Sequence, residues 1–139
     1  DMVERVAASV SEKARRCMEI FWPGPLSLLL PARVGLPGRL VGPDGKVCVR
    51  CSSHHVARDL SRAWGGPVTS TSANLSGCPP ARTAREAALA GVDLVLDGAC
   101  GMVAVPSTIF DPETGKVLRE GPITEAMLYV VCHGNGLHY

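Results

Sequence analysis

Leu26-Ser27-Leu28-Leu29-Leu30, set directly behind Trp22-Pro23-Gly24-Pro25, restricts the fold more than any other segment. Two prolines and a glycine cannot continue a helix, so the chain must turn there. The run behind the turn is short and nearly all apolar, as expected of a strand covered on both faces. Such a strand needs helices or loops packed over its sheet, which points to an α/β architecture.

The flanking segments agree. Val3, Val6, Val10, Ala14, Cys17, Met18 and Phe21 recur at helical spacing, which predicts one amphipathic helix from the first residues to the Trp-Pro stop. Ala32–Gly45 reads as a loop ending in the turn Pro43-Asp44-Gly45, and Lys46–Cys51 as the next strand. Ser52 or Ser53 can cap a helix whose inner face is Val56, Leu60 and Ala63/Trp64, ended by Gly65-Gly66. Pro67–Thr71 and Val92–Leu96 read as strands, the second closed by Asp97-Gly98, with a short Ala-rich helix between them capped by Thr83 and stopped by Gly91. Ser107–Asp111 and Lys116–Glu120 flank Pro112-Glu113-Thr114-Gly115 as a hairpin, and Thr124 caps a last helix. The expected fold is a twisted mixed β-sheet with flanking helices, in one domain over residues 1–130, followed by a disordered tail at 131–139.

Thr71-Ser72-Ala73-Asn74-Leu75-Ser76-Gly77 follows one of these strands. Short polar side chains there can cap backbone donors and still reach a ligand, and the glycine lets the backbone come close. The carboxyl end of a strand is where open α/β sheets bind small molecules. The plainer alternative is a turn bonded to its own backbone.

A chain of 139 residues with 46% hydrophobic and 19% charged residues can bury a core as one domain. The net charge of +1 offers no basic field for tight, sequence-independent nucleic-acid binding. No apolar run approaches the ~20 residues that span a bilayer, and no signal-peptide pattern opens the chain, so a cytoplasmic protein without membrane partners is expected. The six cysteines lack the dense spacing of a disulfide scaffold. Cys48-Val49-Arg50-Cys51 falls on a strand, where side chains three apart point to opposite faces, so reduced structural thiols are expected rather than zinc or redox chemistry.

Four segments in order resemble the YrdC/TsaC family of threonylcarbamoyl-AMP synthases: Phe21-Trp22-Pro23-Gly24-Pro25-Leu26-Ser27, Val47-Cys48-Val49-Arg50, Thr71–Gly77, and Pro106-Ser107-Thr108 with Arg119-Glu120-Gly121. The resemblance runs from about Phe21 to Gly121. It implies an ATP-dependent nucleotidyltransferase that joins L-threonine, bicarbonate and ATP, with Mg²⁺, into threonylcarbamoyl-AMP for the N6-threonylcarbamoyl modification of tRNA. No covalent nucleophile is implied; positioning and charge neutralisation carry such a reaction. The resemblance assigns Arg50, Ser70 and Ser107 to threonine, and Lys46, Ser72, Asn74, Pro80 and Arg119 to the nucleotide. Lys46 is also legible as a solvated strand-end charge, and Pro80 brings no hydroxyl to its position. Glu120 stands where the family has proline, Ala99 replaces a glycine of the DGG turn, and Ser27 replaces a threonine while keeping the hydroxyl.

The family's domain carries roughly 70 further residues at its start, including a PTDTVYGL-like strand and a K-x-R motif; a domain of ~200 residues is ordinary. No PTDTVYGL-like strand occurs here, so the sequence reads as a partial domain whose own activity is weak or absent. By resemblance, TsaB-, TsaD- and TsaE-type proteins would complete transfer to tRNA. Two rival readings are a non-catalytic module binding tRNA or double-stranded RNA, and the corresponding domain of a carbamoyl-transfer protein.

Overall fold

The computed structural model describes residues 2–97 and 105–134. Cys100, the Gly98-Ala99 part of the DGG-like turn and tail residues 135–139 lie outside them. The chain divides into two compact units, Asp1–Pro67 with Val105–Tyr139, and Val68–Ala104.

The first unit is built on a mixed four-stranded sheet of β1 (Leu26–Pro31), β2 (Lys46–Val49), β3 (Thr108–Asp111) and β4 (Lys116–Arg119), in the order β2-β1-β3-β4. β1 pairs antiparallel with β2 and parallel with β3, and β3 pairs antiparallel with β4. All four strands were legible in the sequence. Alternate residues of a strand share a face, so Leu26, Leu28 and Leu30 line up with Phe110, which lies opposite Leu28. Helices α1 (Glu12–Phe21) and α4 (Glu125–His133) close over this face with Ala14, Cys17 and Leu128. The Thr108 hydroxyl donates to Ile123 O at 2.8 Å and accepts from Ile123 N at 3.0 Å, holding the entry to α4 against β3. α4 runs to His133, the point near which the sequence has the last helix fading.

The N-terminal helix is shorter than its periodicity predicts. Val3–Arg5 forms a 3₁₀ turn, and α1 begins only at Glu12. Between them Ala7 bridges Ala32, with Ala8 N donating to Pro31 O and Arg33 N to Val6 O, each at 2.8 Å. Pairing with the end of β1 satisfies this backbone without a helix, and Ser11, accepting from Ala14 N, caps the new start. α1 stops at Phe21 because Trp22 precedes proline and is extended.

Helix α2 (His55–Trp64) forms where expected, ended by Gly65 at φ 76°, but its N-cap is His54, while Ser52 caps the turn before it by accepting from His54 N. Its expected inner face is not buried: Leu60 is 44% and Trp64 75% exposed. Helical spacing identifies the apolar stripe but not what covers it.

The second unit carries α3 (Ala84–Ala87), whose Thr83 cap accepts from Glu86 N at 3.2 Å. The strands expected at Pro67–Thr71 and Val92–Leu96 are absent; both stretches are irregular. Apolar runs this short become strands only where a partner strand takes their backbone hydrogen bonds.

Candidate functional site

The face of the sheet opposite the core carries Ser27, Cys48 and Arg119. Ser27 lies across from Ile109, and Leu29 across from Cys48. Arg50, two residues beyond Cys48, continues the same row where β2 ends. The β3–β4 register slips between Ile109 and Phe110: Phe110 faces Val117, yet Ile109 faces Arg119. Leu118 is the extra residue of this bulge. Regular pairing would set Leu118 opposite Ile109; the slip sets the guanidinium of Arg119 there and leaves Leu118 58% exposed.

Arg119 is clamped to Ser107, its Nε donating to the carbonyl at 2.9 Å and Nη2 to Oγ at 3.0 Å. Ser107 Oγ lies 2.8 Å from Ser27 Oγ, and both serines are buried. Arg50 Nε donates to Gly24 O at 2.8 Å, while Gly24 N donates to Cys51 O at 2.9 Å, so the Pro-Gly-Pro turn fixes the start of the Arg50 side chain and leaves its terminal nitrogens toward solvent. Gly121 is a close-approach glycine: a Cβ there would stand 2.5 Å from both Pro106 O and Thr108 N. This explains the glycine two residues after Arg119, since the chain must lie against the Ser107 segment for the clamp to form.

The electrostatics are those of an anion receptor. Burial lowers the Arg50 pKa below its ordinary value, and the charge of Arg119 lowers it further, with Cys51 opposing. Among the described residues no carboxylate ion-pairs with either guanidinium. Two neighbouring cations without a counter-charge favour an anionic ligand with paired oxygens. The Cys48 thiol is pushed up by burial, against the opposing pull of Arg119 and of a hydrogen bond with Ser27, so it stays protonated.

Lys46 is placed differently. It starts β2, four residues and about 13 Å of strand before Arg50. Its ammonium contacts Asp111 at 2.7 Å and Glu113 at 2.8 Å, and those hydrogen bonds raise its pKa against the effect of burial. Burial alone would raise the Asp111 carboxyl, but bonds from Lys46, Thr114 and the backbone N–H groups of Glu113 and Thr114 hold it below its usual value. Lys46 is therefore a partnered charge crossing the end of β1, neither solvated nor free.

Ser70, Ser72, Asn74 and Pro80 lie in the second unit. There the Asn74 amide donates to Leu75 O at 3.1 Å and Cys78 O at 2.8 Å, Ala81 N donates to Ala73 O at 2.8 Å, and Gly77 takes φ 84°. This is the self-bonded turn that the sequence allowed. Asn74 Oδ1 is buried without a partner, an acceptor left over in the loop. Ser70, Ser72 and Pro80 are exposed. Sequence reasoning gave Ser27 only a preserved hydroxyl and took Cys48 as structural. The signal for Ser27 was a single hydroxyl inside an otherwise apolar strand.

Over residues 1–121 the chain matches the model of the Sua5/YciO/YrdC family, described as "Telomere recombination". The threonylcarbamoyl-AMP synthase of Xanthomonas campestris pv. campestris is 45% identical over 102 residues, which cover 71% of this chain and 54% of that protein. The enzyme of the same name from Xanthomonas axonopodis pv. citri is 42% identical over 109 residues, 76% of this chain and 58% of the relative. The fold is similar to that of P. abyssi Sua5 in its crystal structure complexed with L-threonine, with a TM-score of 0.82 and 29% identity over 93% of this chain and 39% of that one. The chain thus spans little more than half the length of the curated relatives it matches. On these grounds it belongs to the Sua5/YciO/YrdC family.

Proposed function

We propose that the protein carrying this chain is a threonylcarbamoyl-AMP synthase, and that the Arg50–Arg119–Ser107 cluster holds the carboxylate of L-threonine. The observation that carries the reading is the pair of guanidiniums, without a partner carboxylate among the described residues, beside a buried serine. The P. abyssi relative complexed with L-threonine supports the choice of ligand. Arg50, anchored through Nε, offers its two terminal nitrogens as a fork for the carboxylate. Ser107 adds a hydroxyl at one edge. Arg119, clamped to Ser107, sits beside both and supplies charge toward the nucleotide.

With the carboxylate held, threonine's amine attacks the carbon of bicarbonate; a C–O bond breaks, water leaves with the amine proton, and an N-carboxylate remains. One oxygen of that group attacks the α-phosphorus of ATP, the bond to the β,γ-unit breaks, and pyrophosphate leaves with the electron pair. Ser72, Asn74 and Pro80 are assigned to the nucleotide by the family pattern, with Ser70 on the threonine side. Lys46 joins the phosphates only by leaving Asp111 and Glu113. Among the described residues no three metal-ligating side chains gather into a site; Mg²⁺ would arrive on the triphosphate and keep most of its waters. The product would pass to tRNA through TsaB-, TsaD- and TsaE-type partners, in a cytoplasmic pathway.

The test is pyrophosphate release from ATP, Mg²⁺ and bicarbonate by the full-length protein, with and without L-threonine. Threonine-dependent release that Arg50→Ala abolishes, with ATP binding retained, is the expected result. Release indifferent to threonine would overturn the reading. RNA binding with a steep salt dependence and no pyrophosphate release would favour the RNA-binding module instead.

A further inference from the structure

Ser27 is a hydroxyl in a strand of leucines, 6% exposed, and β1 needs no polar group there for its ladder. A buried hydroxyl without a partner is destabilising, so its presence calls for an account. Its partners lie toward the proposed threonine site: Ser107 Oγ at 2.8 Å, and the Cys48 thiol beside it on the same face. From Ser107 the hydrogen bonds continue to Arg119.

Counting donors gives these contacts a direction. Ser107 Oγ has one proton and two lone pairs. Arg119 has no acceptor, so its Nη2 occupies one lone pair. One proton and one lone pair remain, for Ser27 and for a ligand. A carboxylate ligand can only accept, so the Ser107 proton must point at it and Ser27 must donate into the second lone pair. The hydroxyl protons of Ser27 and Ser107 are in this way both committed toward the anion.

We infer that Ser27 is a positioning residue for the amino-acid substrate, its buried hydroxyl holding the Ser107 proton toward the carboxylate beside Arg50 and Arg119. The inference rests on the synthase reading of that site. Ser27 touches no reacting atom; it acts through Ser107. Alanine at position 27 leaves the second lone pair of Ser107 empty and its hydroxyl free to rotate away. Threonine supplies the same hydroxyl and restores the chain.

The experiment is steady-state pyrophosphate release by the full-length protein, with KM measured separately for L-threonine and ATP. Ser27→Ala should raise the KM for threonine about tenfold, as loss of one well-placed hydrogen bond to a charged ligand does, while the KM for ATP stays put. Ser27→Thr should return the threonine KM to within about twofold of wild type. The double variant Ser27→Ala with Ser107→Ala should be no worse than Ser107→Ala alone, because Ser27 has nothing left to orient. A threonine KM unchanged in Ser27→Ala, equal rises for both substrates, or additive effects in the double variant would each overturn the assignment and leave the synthase reading standing. A wild-type protein without threonine-dependent release would overturn both.

Discussion

Gly121 offers a test of the site's architecture that needs no substrate. Replacing it with alanine puts a Cβ 2.5 Å from Pro106 O, 2.5 Å from Thr108 N and 2.8 Å from Ser107 C, inside the 3.0 Å that real Cβ atoms respect. All three neighbours are backbone, so none can swing aside as a side-chain tip would. Thr108 N is also tied to Pro25 O at 3.0 Å, so relief must come from moving the Arg119–Gly121 strand end outward. Overpacking of this kind costs about 2–3 kcal/mol. For a chain of this size that is a fall in melting temperature of roughly 6–12 °C. Gly38→Ala is the control: nothing lies within 4 Å of its Cβ, its φ is ordinary, and it sits in the short 3₁₀ turn Gly38–Leu40. There alanine restricts the unfolded chain and should stabilise by about 0.4–1 kcal/mol. Urea unfolding followed by circular dichroism reads both as shifts in midpoint at constant slope. Two alanines with the same sign, or Gly121→Ala within about 0.5 kcal/mol of wild type, would refute the close-approach argument.

Further expectations concern charge and thiols. Burial pushes the Cys17 thiol up from 9.0 to about 12, so the unfolded chain loses its proton first; stability should fall as pH rises through that interval, and Cys17→Ala should flatten the decline in pH-dependent melting curves. The same burial should keep Cys17 silent toward a thiol reagent such as DTNB in the native protein while exposed Cys78 reacts, with release of the Cys17 signal only on unfolding. Asp111 is held below its usual 3.8, so it stabilises above that pH and the contribution is lost as pH falls through the lowered value; Asp111→Asn should flatten the acid limb of stability against pH. Arg50→Lys should lose threonine affinity at least about tenfold in an isothermal titration, because an ammonium cannot hold Gly24 O and grip a carboxylate through a fork at once; wild-type affinity would count against the fork.

What the sequence determined by itself is what depends on near neighbours. Proline and glycine stops, the Thr83 and Thr124 caps, the Gly65 helix end and the four strands of the sheet were all legible, because each follows from conformational preferences within a few residues. The family strings likewise placed Arg50, Ser107 and Arg119 among the residues of interest. Tertiary structure decided the rest. Residues 6–8 leave the helix because the end of β1 offers them backbone partners, and Lys46 is claimed by Asp111, sixty-five residues away. Arg119 reaches the site face only through a register slip that no local pattern announces. Ser27 meets Ser107 across eighty residues because β1 and β3 run parallel, a pairing set by the competition of all strands for one core. Local propensity names the elements, whereas a site assembled from their ends depends on which strands lie side by side and in what register.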